Sequence, residues 1–170
     1  MKILKILSLL IAIFWLNMAW PYDIFMNVTG TIVASGCTLD AESELLEVDM
    51  QEVNRTQLTF AGAKTPEIPF KIKLRDCTTS VTGAVVKFSG QSDTDNNQLL
   101  GLASGEARGL AIKIMDDDKT IIPINTASKN YPLTDGNDAE LQFYAQYVAT
   151  GPSIQPGDAN ATATYTVTFP

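Results

Sequence analysis

"YDIFMNVTGTIVASGC" runs from Tyr22 to Cys37. Ile24, Met26, Val28, Gly30 and Ile32 fall on one face of an extended chain, with Asn27, Thr29 and Thr31 on the other. That period of two is the pattern of a half-buried β-strand. Ordinary strands run about 5–6 residues, and this one reads as roughly twice that before the cysteine. A single domain has little use for all of it. The residues alone leave open what its first half is for, and on them the plain reading is the ordinary first strand of a complete sandwich.

The residues before it are of another kind. "MKILK" is a short basic start, Ile6 to Leu16 is an apolar run, and Ala19 offers a small residue. This is the pattern of a secretory signal peptide over residues 1–19, with an uncleaved membrane anchor as the alternative. Its removal takes Lys2 and Lys5, leaving ten of the 12 basic residues against 19 acidic ones, a formal charge of −9. Such a charge disfavours nucleic acid and anionic membrane surfaces as partners. The remaining chain has the size of one domain.

Cys37 and Cys77 are the two cysteines. In an exported chain an even count most simply means one disulfide, against the alternative of two free buried thiols. Closing a loop of that length contributes about 4 kcal/mol in the chain-entropy account.

Past Cys37 the period stays near two. "LLEVDM" sets Leu46, Val48 and Met50 against Glu47 and Asp49. "IPFKIKLRDC" sets Ile68, Phe70, Ile72 and Leu74 against Lys71, Lys73 and Arg75. "GAVVKFSG" and "GLAIKIMD" read as two more strands, and "TIIPI" as an edge strand or a bend, because Pro123 cannot donate to a ladder. "AELQFYAQYVATG" puts Leu141, Phe143, Ala145 and Tyr147 on one face. In "ATATYTVTFP", Tyr165, Val167 and Phe169 alternate with threonines. "NRTQLTFAGAKT" reads as a loop or a short helix. Turn signals at "TDNN", "DDDK", "LTDGND" and "GPSIQPGD" separate these segments. Around eight short strands divided by turns predict an all-β sandwich in one domain.

The chemistry of catalysis is missing from the residue inventory. The chain has no histidine, which removes Ser-His-Asp and Cys-His machinery and the common metal sites. Asp116 to Asp118 form the densest carboxylate group, and their place between two strands reads as a solvated hairpin turn. "DTDNN" from Asp93 to Asn97 lacks the glycine and the glutamate of a calcium loop, with Gln98 and Ser104 at those places. The sequons at Asn27, Asn54 and Asn160 are of a pattern common by chance. No catalytic residue, metal site or cofactor is expected, and binding or assembly is the default function.

The ordered set of "IFMNVTGTI", the cysteine pair with "PFKIKLRDC" leading into the second, "GLAIKIMDDD", and "LQFYAQYVATGPSIQPGDANATATYTVTFP" resembles the pilin subunits of chaperone–usher fimbriae, of the type 1-like class in Gram-negative bacteria. Gly157 is the fourteenth residue from the end and Phe169 the penultimate one, where the family pattern has a glycine and an aromatic. The aromatic there is usually tyrosine, so the phenylalanine is a departure that removes one hydroxyl.

The resemblance implies an incomplete immunoglobulin-like sandwich lacking its last strand, over residues 33–170. A periplasmic chaperone would lend a strand to fill the gap. At the outer-membrane usher, the N-terminal extension of a neighbouring subunit would replace it. Residues 20–32 would be this chain's own extension, anchored by Ile24, Met26, Val28 and Ile32, with Gly30 where the groove is shallow. Gly157, Tyr165, Val167 and Phe169 would mark the strand bordering the groove. The implied function is structural, in an adhesive cell-surface fimbrium, with no nucleic-acid or small-molecule partner. The bulk of Ile24, Phe25 and Met26 leans toward a minor or adaptor subunit. A major rod subunit is the alternative, and a tip adhesin is disfavoured by the short chain and the extension.

Overall fold

The computed structural model describes residues 36–103, 107–134 and 137–170. All belong to one compact unit, Val33–Pro170. The expected signal peptide and the anchors Ile24, Met26, Val28, Gly30 and Ile32 lie outside the described residues.

In chain order the elements are β1 (Thr38–Leu39), the short helix α1 (Ala41–Glu44), β2 (Ile68–Arg75), β3 (Gly83–Gly90), β4 (Leu110–Met115), β5 (Ala127–Pro132), β6 (Ala139–Ala149) and β7 (Ala163–Thr168). They form two antiparallel sheets, one ordered β1-β2-β6-β4 and the other β5-β3-β7. The inward residues of β2 and β6 meet those of β3 in one core, which includes Phe70, Ile72, Leu74, Val86, Phe88 and Phe143. Phe143 packs edge-on against Phe88 at 5.2 Å and against Tyr131 of β5 at 5.6 Å, so one ring joins the two sheets. The alternation read from "IPFKIKLRDC" and from the first half of "AELQFYAQYVATG" is the observed one, with a packed face and a more exposed face. Ala145–Ala149 of β6 are instead buried on both faces, Val148 packing against Leu99 and Ala111.

Two local readings differ from the structure, at "LLEVDM" and at β5. "LLEVDM" forms no ladder. Leu46, Val48 and Met50 do turn toward the core while Glu47 and Asp49 face outward. Yet the backbone of residues 45–50 pairs with no strand among the described residues. Alternation reports which face is covered, and a ladder needs a neighbour that alternation cannot supply. Of the two forms read for "TIIPI", the structure takes the bend. Ile121 makes an isolated bridge to Met115, Ile122 and Ile124 are buried, and the chain turns at Pro123 and Asn125. Conversely, β5 arises from "ASKNYP", which carries no alternating apolar signal. Its one buried side chain is Tyr131, since it is an edge strand with little to bury. "NRTQLTFAGAKT" contains a single 3-10 turn at Arg55–Gln57, started by the Asn54 side chain on the Thr56 amide.

Candidate functional site: a cleft beside the last strand

β7 pairs with β3 on one side, and no described residue pairs with its other side. Its inward row is Ala163, Tyr165 and Val167, and Phe169 continues the row just past the strand's end. All four touch the core, and all four are only half-buried. Beside them opens a cleft of about 210 Å³, lined by Tyr165, Val167 and Phe169 from this row and by Cys37, Leu39 and Leu74 from the other sheet. Every lining residue except the cysteine and the tyrosine hydroxyl is purely apolar. The cleft therefore has the chemistry of an uncovered stretch of core.

Each bank is built by its own local rules. Cys37 and Cys77 form a disulfide, which pins the start of β1 to the end of β2. Gly36 adds a two-way clasp: its amide donates to Thr78 Oγ1, and its carbonyl accepts from the Thr78 amide. A Cβ at Gly36 would stand 3.7 Å from the Phe169 ring, so the backbone passes directly beside that ring. α1 begins at Asp40, whose carboxylate accepts from the Glu42 amide and pairs with Arg75 at 2.8 Å. Arg75 also pairs with Asp138, and the Arg75 hydrogen bond holds the Asp40 carboxyl below its ordinary range. The buried Ser43 accepts the Lys73 amide on Oγ, which fastens α1 to β2. The Tyr165 hydroxyl donates to the Ser43 carbonyl across the cleft. Burial, and then the charge of Glu44, push the Tyr165 hydroxyl above its ordinary pKa, so it stays a donor.

The structure brings Tyr165, Val167 and Phe169 together with the disulfide. Gly157 is elsewhere: it is exposed, in the loop six residues before β7 begins. That loop is held by the Tyr147 hydroxyl, which donates to the Ala159 carbonyl at 2.8 Å. Leu39 lines the cleft and Ser43 meets it through the Tyr165 hydroxyl, and neither carries a sequence signal for it, because a two-residue strand and a single serine show no period. Leu74 was legible only as a core position.

The opposite flank of the sandwich is closed by charge. Asp116 is buried, which corrects the reading of "DDD" as a wholly solvated turn, while Asp117 and Asp118 are exposed. The Lys129 ammonium of β5 lies 3.4, 2.6 and 2.9 Å from the three carboxylates in turn. The space a cation would take among these oxygens is thus filled by the protein's own lysine. Burial pushes the Asp116 carboxyl up. Hydrogen bonds from Thr120 and then Lys129 hold Asp118 well below the usual range.

The family model described as "Fimbrial protein" matches residues 26–170. The chain belongs to the fimbrial protein family. It is 36% identical over 164 residues to the fimbrial-like protein YcbV of Escherichia coli K12, covering 92% of this chain and 95% of that one. It is 35% identical over 147 residues to the probable major fimbrial subunit LpfA of Escherichia coli O157:H7, covering 85% and 82%. Among solved structures, the Burkholderia pseudomallei antigen and type I fimbria protein BPSL1626 is similar with a TM-score of 0.63 and 34% identity, over 78% of this chain and 88% of that one. The family resemblance carried by the sequence is thus the family found. This fimbrial chain is a structural subunit of a surface-displayed pilus and not an enzyme.

Proposed function

We propose that the cleft beside β7 receives a strand donated by another protein, first a periplasmic chaperone and then, at an outer-membrane usher, the extension of a neighbouring pilin. Residues 20–32 of this fimbrial subunit would make the same donation to the next. The observation that carries the reading is the half-exposed row of Ala163, Tyr165, Val167 and Phe169, on a strand with a ladder on one side among the described residues. An added strand satisfies the open edge through main-chain hydrogen bonds and fills the row through alternate side chains. Ile24, Met26, Val28 and Ile32 have the spacing to do this. Each would contribute on the order of 1.5–3 kcal/mol if fully buried.

The test uses a chain lacking Trp20–Ile32, which keeps every described element, and a peptide spanning Tyr22–Ser35. Binding to the folded state alone stabilises by mass action, so the peptide should raise the unfolding midpoint by tens of degrees. A panel of peptides from sister subunits accompanies it. If no peptide raises the midpoint, the sandwich is already complete and the reading is wrong. In the full chain, Gly30→Leu should block multimer formation and leave the fold of the subunit intact.

The bulk of Ile24, Phe25 and Met26 further supports a minor or adaptor position. Its measure is subunit stoichiometry in sheared fimbriae. Few copies per fibre agree with it, and a dominant copy number makes the chain the major rod subunit.

A further inference from the structure

The β1–β7 flank has a polar feature that strand addition alone does not require. Among the described residues, the Tyr165–Ser43 hydrogen bond is the one hydrogen bond joining β7 to the chain between Gly36 and Leu58. Its far end is rigid. Ser43 is 1% exposed, its amide donates to the Asp40 carbonyl, and its Oγ holds the Lys73 amide of β2. The bond therefore ties the edge strand of one sheet to the second strand of the other.

Directly after it the chain has no backbone ladder among the described residues, and only the side chains of Leu46, Val48 and Met50 hold residues 45–50 to the core. Leu45 is 91% exposed. This segment is half-buried on alternate residues and placed by Ser43 at one end. Such a segment opens at low free-energy cost, and fixing it at the moment of binding would cost conformational entropy.

We propose that Tyr165 is a positioning residue for strand capture: its hydroxyl, through the Ser43 carbonyl, holds the start of the 45–50 segment at a fixed distance from β7, so that the cleft is preorganised for the incoming strand. The inference rests on the strand-acceptor reading of the cleft. The ring of a phenylalanine would serve the apolar lining equally well, and what it lacks is the tie. Preorganisation of this kind acts on the capture step, because the cost of ordering is met before the strand arrives.

The test compares full-length wild type with Tyr165→Phe. Two quantities are followed: hydrogen exchange of the Glu42 and Ser43 amides, both of which donate to Asp40, in the free subunit, and the rate at which purified subunit forms heat-resistant multimers. The variant should exchange faster at those amides and assemble about fivefold to tenfold more slowly, the factor matching the loss of one hydrogen bond of ordinary strength. The loss should appear in the rate of assembly more than in the heat resistance of the finished multimers. Equal exchange and equal assembly rates would overturn the proposal. Faster assembly would overturn it too, by making the tie a barrier. Should Tyr165→Phe fail to fold, Ser43→Ala frees the far anchor with the tyrosine intact, and it should shift both quantities the same way by less. Failure of the wild type itself to assemble, with no peptide stabilising it, would instead strike the reading of the cleft.

Discussion

β6 and β7 carry the same sequence pattern and meet different fates. In β6, Leu141, Phe143, Ala145 and Tyr147 alternate with other residues and are buried to 6% exposure or less. In β7, Ala163, Tyr165 and Val167 alternate just as strictly and are half-exposed. The difference lies in the neighbours. β6 is paired on both sides, by β2 and β4, whereas β7 is paired with β3 alone among the described residues. An alternating strand declares which face wants cover. Only the surrounding strands decide whether the chain itself supplies it.

Mutation should separate the two rows most sharply at Phe143. Phe143→Ala removes a fully buried ring that joins the sheets and should cost about 3–5 kcal/mol in thermal or denaturant unfolding, with or without a donor peptide. Val167→Ala should cost far less in the free fimbrial subunit and should express its loss chiefly as a smaller peptide-induced rise in the unfolding midpoint. Equal losses in the free state would mean that the β7 row is already covered.

Next in size is the disulfide. Cys37→Ser with Cys77→Ser should cost about 2–4 kcal/mol, since the unfolded chain regains its loop freedom. It should also reduce the response to donor peptide, because Cys37 lines the cleft. An unreduced response would detach the disulfide from the cleft's shape.

The closed flank supplies a smaller and pH-dependent test. Lys129→Met leaves the buried Asp116 carboxylate without its cation, so Asp116 gains protons more readily in the folded protein. A carboxyl with a raised folded pKa loses stability as pH rises through that value. In the wild type, the depressed Asp118 contributes stability above the ordinary carboxylate range, and that stability is lost as pH falls. The gap between variant and wild type should therefore be widest at neutral pH and close toward acid. A gap constant with pH would remove the carboxylates from the account.

The smallest effect concerns Tyr131, which packs on Phe143 and whose hydroxyl is buried with no hydrogen-bond partner among the described residues. The Ser128 hydroxyl that influences it is already committed to the Val86 amide and the Lys129 carbonyl. Burial pushes the Tyr131 pKa up to about 12. Stability tied to its protonated form is complete below the unfolded value of about 10 and is lost as pH rises through the folded one. Tyr131→Phe should thus raise stability slightly at neutral pH, by about 0.5–1 kcal/mol, and flatten the alkaline loss. A destabilised variant would reveal a partner for the hydroxyl.

What the amino-acid sequence determined was the class of fold and the inward face of each strong strand. Phe70, Ile72 and Leu74 in β2 and the row in β6 were legible because a packed face imposes period two on the residues themselves. The missing histidine and the cysteine pair narrowed the chemistry, and four ordered motifs carried the fimbrial family. The tertiary structure alone decided the rest. It made β5 from a polar stretch because β3 offered an edge, and it left residues 45–50 without a ladder among the described residues although they alternate. It seated Lys129 among three aspartates, and it brought Leu39, Leu74 and Ser43 to the row of Tyr165, Val167 and Phe169. These are pairings between distant segments. Local periodicity records the need of each segment for cover, and the partner that meets or leaves that need is set by the topology.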